Sequence, residues 1–253
     1  MEFDRDIPCL GFSQGGPVEM TIRRRVGFGV VSIAAIVATM LFGAQLAPAA
    51  ERGDFGAETH GAALEFVGRA TQNGAVISIA GYVTRLAGVP EAALFATSNP
   101  LLRNENTARI TYTASTTISQ SFMVLPQTPT LFDVNSAGSL TFFFTDAPGP
   151  RSFDTPSSFG SGTPIASYSV RFQDVVAALG GIDPNRGVVD GNGELCQVSA
   201  SSFRIADDSR RLGHPGTQQN IFTHGWTTRT SPNPPQSQTQ FGGHTTVIGD
   251  GRC

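Results

Sequence analysis

The chain contains no lysine: all 17 of its basic residues are arginine, set against 20 acidic ones for a net charge of −3. The bias reads most simply as base composition and is given no functional weight. After residue 50 the arginines are scattered, with Arg210-Arg211 the one adjacent pair. Neither a nucleic-acid footprint nor a polybasic membrane patch is built that way, so no nucleic-acid partner is expected. Cysteine is nearly absent too, at three residues, which excludes a disulfide-dense miniature scaffold. Helical periodicity is scarce. Pro90 to Phe95 and Asp174 to Leu179 each suit one short helical piece, too short for the crossover helices of a parallel α/β sheet. No 20- to 50-residue repeat is apparent, so a propeller or solenoid is not indicated.

Charge is missing altogether between Arg25 and Glu51. Arg23-Arg24-Arg25, the apolar run from Val30 to Phe42, and Ala47-Pro48-Ala49 follow the order of a secretory signal: basic flank, apolar core, small-residue cleavage site. Cleavage is expected near Ala49 or Ala50, which makes residues 20–50 a signal peptide and the remainder secreted. The alternative is a membrane anchor left uncleaved over residues 26–46, since the uncharged stretch is long enough to span a bilayer. Residues 1–19 carry Glu2, Asp4, Asp6 and Glu19 against Arg5 alone. That is the wrong polarity for a leader, and they read as a mis-called extension before Met20.

Residues 51–253 are expected to form a single all-β domain. Arg109 to Phe122 is the clearest strand, with Ile110, Tyr112, Ala114, Ile118 and Phe122 on one face. Thr111, Thr113, Ser115, Thr117, Ser119 and Ser121 occupy the other, expected to face solvent. Ala63 to Ala70, Ala75 to Leu86, Leu140 to Thr145, Ala166 to Gln173, Leu195 to Ile205, Asn220 to Thr230 and Gln240 to Ile248 bring the count to about eight. Loops rich in Pro, Ser and Gly are expected at 151–163 and 231–237. The expected fold is an antiparallel β-sandwich of jelly-roll type, with a closed β-barrel as the alternative, because both share one alternation.

Candidate chemistry is sparse. Cys196 and Cys253 are expected to form a disulfide, worth roughly 4 kcal/mol for a loop of that length. Asp190, Asn192 and Glu194 resemble part of a calcium loop, with Asp183 as a further carboxylate. Val188 and Ser199 stand where the strongest ligands belong, so Asp190-Gly191-Asn192-Gly193 is read as a hairpin turn and no metal is expected. Phe222, His224 and the lone tryptophan, Trp226, share one strand face. They form either a packed aromatic cluster or the wall of a ligand site.

No catalytic constellation is present: there is no nucleophile elbow, zinc spacing or free mature cysteine. Asp207-Asp208, or Asp183 with Asp190, would be the carboxylates of a hydrolase. The reading leans away from an enzyme and needs no cofactor. It favours a secreted, non-catalytic binding or surface-associated domain, with cell-surface or carbohydrate contact conceivable and no stable membrane insertion. The alternatives are a barrel holding a small apolar ligand and an extracellular hydrolase acting on a polymer.

Overall fold

A computed structural model describes residues 63–125, 130–180, 183 and 185–250. The sandwich expectation is corrected. Eight antiparallel strands close into one barrel in the order β1-β10-β9-β6-β5-β4-β3-β2. The strands are β1 (Leu64–Asn73), β2 (Val76–Leu86), β3 (Ile110–Leu125), β4 (Thr130–Phe144), β5 (Thr163–Ala178), β6 (Arg186–Ala200), β9 (Thr217–Pro232) and β10 (Pro235–Asp250). A separate hairpin, β7 (Phe203–Ile205) with β8 (Asp208–Arg210), interrupts the sequence between β6 and β9. Closure rests on β1 pairing with β10 from Leu64↔Thr245 to Asn73↔Gln236, which leaves the barrel itself no free edge. Most of these strands run 15 or 16 residues, long enough to tilt around an eight-stranded barrel.

Three sequence expectations give way because the strands run further than their local signals. Asp190-Gly191-Asn192-Gly193 is not a turn but the middle of β6, paired with β5 on one side and β9 on the other. Asp174 to Ala178 is the end of β5, not a helix. The 231–237 loop shrinks to a tight turn at Asn233-Pro234, with strand up to Pro232 and again from Pro235. Residues 151–162 connect β4 to β5 with a 3-10 turn over Pro156–Gly160, and Thr163 already belongs to β5. Pro90 to Phe95 contains the expected short turn, a 3-10 helix over Glu91–Leu94.

The barrel's two ends differ. The short hairpins β1–β2, β3–β4, β5–β6 and β9–β10 gather at one end, while the long connections lie at the other. At that second end Leu86, Leu94, Phe95, Ile110, Phe144, Ile165, Phe203, Ile205 and Leu212 are buried in one cluster and plug the lumen. The Phe144 and Phe203 rings meet there at 5.0 Å, tilted to one another. Buried Gln219 donates to the Tyr168 hydroxyl, which donates in turn to the Leu212 carbonyl, both at 3.2 Å, and this ties β5 and β9 to the plug.

The outer face of β3 is not uniformly solvated. Thr111 is 1% exposed, and its hydroxyl donates to the Phe159 carbonyl at 2.7 Å. The Pro156–Gly160 turn lies over the outside of β2 and β3, where Phe153 stacks on Phe159 at 4.8 Å. Phe122, expected inside, is 44% exposed. A register shift between Ile118 and Gln120 moves it out of the inward row.

Ile110→Asp therefore places a carboxylate in the plug and should cost 3 kcal/mol or more, to about the limit of folding. Thr111→Asp, with its partner carbonyl left buried, should cost about 2 kcal/mol. Thr117→Asp, on the exposed part of the same strand face, should stay within about 0.5 kcal/mol of the parent. Denaturant melts of the three variants check the ordering.

Candidate functional site

Beyond the plug the lumen is hollow. A chain of aromatic rings crosses the barrel and forms its floor: Phe241 to Phe66 at 6.3 Å, Phe66 to Tyr112 at 5.7 Å and Tyr112 to Phe142 at 5.7 Å. Phe142 then meets Tyr168 at 5.9 Å. Tyr112 can lie across the interior because Gly68 and Gly81 face it. A Cβ at either position would overlap the phenol oxygen. That oxygen donates to the Val67 carbonyl at 3.0 Å. Burial, and secondarily the nearby Tyr82, pushes the phenol well above its ordinary range, so it stays a neutral donor.

On this floor stands a cavity of about 120 Å³ walled by Ile77, Ile79, Ala114, Val134, Leu140, Phe172, Val176, Val189 and Ile221. Its mouth faces the hairpin end, where part-exposed Gln72, Thr227 and Ser237 line it. There the Ser237 hydroxyl donates to Gln72 Oε1 at 3.1 Å, linking β10 to β1.

Besides Thr239 on β10, four polar side chains interrupt the apolar wall: Thr116, Ser136, Asp174 and Thr223. Register brings them into one band. Thr116 sits opposite Gly138 and Ser136 opposite Ile118, so the two are diagonal neighbours on β3 and β4. Ser136 pairs with Phe172 and Val134 with Asp174, which makes Ser136 and Asp174 diagonal neighbours as well. Asp174 is then level with Gly191 and, one strand further, Thr223. Gly191 is the gap that joins them, since a Cβ there would overlap both Asp174 Oδ1 and Thr223 Oγ1. Thr116 and Ser136 are 1% and 3% exposed, and neither hydroxyl oxygen has a hydrogen-bond partner. Desolvation first, and then Asp133 on the neighbouring strand, raises the Asp174 carboxyl to about 6.

The residues singled out in the sequence lie elsewhere. Phe222, His224 and Trp226 do share a face of β9, but it is the outer one. Phe222 is 40% and Trp226 56% exposed, so no packed aromatic core exists there. Phe222 stacks on His244 at 5.2 Å, and His224 Nδ1 meets Asp190 Oδ1 at 2.5 Å. His224 and Trp226 flank a shallow outer groove of about 490 Å³, with Gly242 as its floor and Arg69, Tyr82 and Phe153 opposite. Asp190, Asn192 and Glu194 follow one another along the exposed face of β6. Such side chains are about 6.7 Å apart per step and cannot converge on one ion. Among the described residues no group of three or more His, Cys, Asp or Glu is placed to hold a metal.

The hydrolase carboxylates do not meet either. Asp183 pairs with Arg186 at 4.0 Å and Asp190 with His224. Asp207 occupies a left-handed turn at φ 65° beside Asp208, which pairs with Arg210 at 2.8 Å. Asp133 and Asp174, on neighbouring strands, point to opposite sides of the barrel wall. Asp133 is held by Gln173 and Asn135, while Asp174 lines the lumen. Cys196 lies on β6 opposite Ser169 and Gln218, and Cys253 is outside the described residues. So are residues 20–50, and among the described residues no helix is long and apolar enough to cross a membrane. No protein-family model, characterised protein or solved structure matches the chain.

The sequence carried one signal for the lumen that its alternation alone did not expose: Gly191 and Gly193 at inward positions of β6, the first level with Asp174. Because the folded carboxyl of Asp174 titrates higher than an unfolded one, the native state binds the extra proton between about pH 4 and 6. Stability therefore falls as pH rises through that window. Asp174→Asn should raise stability near pH 7 by about 1–2 kcal/mol and gain little near pH 4. Urea melts at the two pH values check it.

Proposed function

We propose that this chain is an exported, non-catalytic binding protein that holds a small, mainly apolar ligand inside its barrel. The observation that carries this reading is the half-filled lumen. An eight-stranded barrel is just wide enough either to be packed by its own side chains or to hold one small ligand. Here one half is packed and the other is left open above an aromatic floor, with a few convergent polar groups, as ligand sites are. At about 120 Å³ and open at its mouth, the space approaches the cavity of about 150 Å³ that accepts benzene, which points to a molecule of one ring.

Export remains tied to the signal-like segment before residue 50. The Cys196–Cys253 disulfide belongs to the same reading, and the register supports it. Gln218 pairs with Cys196 on one side and Gly249 on the other, so β10 ends two strands from Cys196. That is about 9.6 Å, and the four residues from Gly249 to Cys253 can span about 13 Å.

The outer groove supports a second reading, contact with a flat surface such as a sugar, because Trp226 stands exposed beside Arg69 and Phe153. Toluene and ethylbenzene separate the two. On the lumen reading they should raise the melting temperature in a dose-dependent way, and Ala114→Trp, which fills the cavity, should abolish the response while Trp226→Ala leaves it intact. No stabilisation of the parent protein by either probe would refute the lumen reading.

A further inference from the structure

Resting on the lumen reading, we propose that the ligand carries a protonated amine, which Asp174 receives together with the hydroxyls of Thr116 and Ser136. The ligand class is thus a small aryl-alkyl ammonium compound, not a neutral hydrocarbon or a carboxylic acid.

Three observations converge. Among the described residues Asp174 is the one charged side chain lining the cavity, and it makes no ion pair with any described arginine or histidine. A carboxylate in an apolar space without a cation is costly, and the missing counter-charge is what a cationic ligand supplies. Next, Thr116 Oγ1 and Ser136 Oγ are buried acceptors with no partner, in the same diagonal band as Asp174. An ammonium has three N–H donors and no acceptor, and one carboxylate plus two hydroxyls match that count. Lastly, the rings of Phe66, Tyr112 and Phe142 form the floor, an environment that welcomes both an aromatic ring and a cation over its face.

Other ligands fit less well. A carboxylic acid would set its own charge against Asp174. A neutral alcohol could satisfy the hydroxyls but would leave the carboxylate without a cation. A bare metal ion would find a single carboxylate, whereas hard cations take six or more oxygens.

The groups facing Asp174 are few. Asp133 acts on it from β4, itself held by Asn135 and Gln173. Val134 and Gly191 flank it, and Thr223 stands across the glycine. With no base among the described residues paired to it, protonation of Asp174 in mildly acidic solution removes the negative charge that holds the amine. The site would then release such a ligand on acidification.

Calorimetric titration of the mature protein with benzylamine and toluene, which share a ring and differ in charge, tests this. Benzylamine should bind about tenfold or more tighter than toluene near pH 8. The ratio should shrink toward unity near pH 5 and in Asp174→Asn, with toluene binding retained in both. Because the pH series needs no variant, a poorly folding substitution does not spare the proposal. Equal binding of the two probes at pH 8, or a ratio indifferent to pH, would overturn the amine assignment and leave the apolar lumen standing. Failure of both probes to bind would overturn the amine assignment and the lumen reading together.

Discussion

Tyr112 lies across the inside of the barrel because Gly68 and Gly81 present no side chain to it, and its hydroxyl then finds the Val67 carbonyl. Much of the interior follows from that placement. The ring gives Phe66 an edge-on partner and Phe142 a tilted one, and through them Phe241 and Tyr168 join a single band from wall to wall. Below the band the long connections pack Leu94, Phe95, Phe203 and Leu212 into a dry plug. Above it, the lumen opens toward the end where the short hairpins gather. The division into a structural half and an open half is thus set at one cross-section of the barrel.

The open half has a chemical character that packing alone does not ask for. A core built for stability would place Ala, Val or Leu where Thr116, Ser136 and Asp174 stand, because buried polar groups without partners cost free energy. Gly191 goes further, opening the wall so that Asp174 and Thr223 approach one another. Departures of this kind from the rules of a stable core concentrate where proteins bind or react. The outer face of β6 and β9 is different in kind. Its His224–Asp190 contact is solvated on both sides, where an ion pair contributes little.

Strand existence was legible from alternation, and β3 was legible almost residue by residue from Ile110 to Ala114. Closure was not, because inward and outward faces alternate identically in a sandwich and a barrel. The glycines misled for a physical reason. Asp190-Gly191-Asn192-Gly193 has the composition of a turn, yet here the small residues relieve crowding inside a closed sheet. Thr111 misled in the other direction, since a hydroxyl can be buried when a distant loop brings it the Phe159 carbonyl. The site was missed because its members lie on different strands, at positions 116, 136, 174 and 223. Barrel register, not chain neighbourhood, unites them. The aromatic stripe Phe222–His224–Trp226 was correctly assigned to one face, but only closure decides that this face is the outer one.

The central claim is that space above the aromatic floor is real and accessible. Crystals equilibrated under xenon pressure test it most directly, because xenon enters dry apolar cavities and scatters strongly. The account predicts one ordered xenon atom inside the barrel, in contact with Leu140, Phe172 and Ile221 and absent from the outer groove beside Trp226. A lumen closed by inward rotation of Phe172, with no xenon inside the barrel, would contradict it.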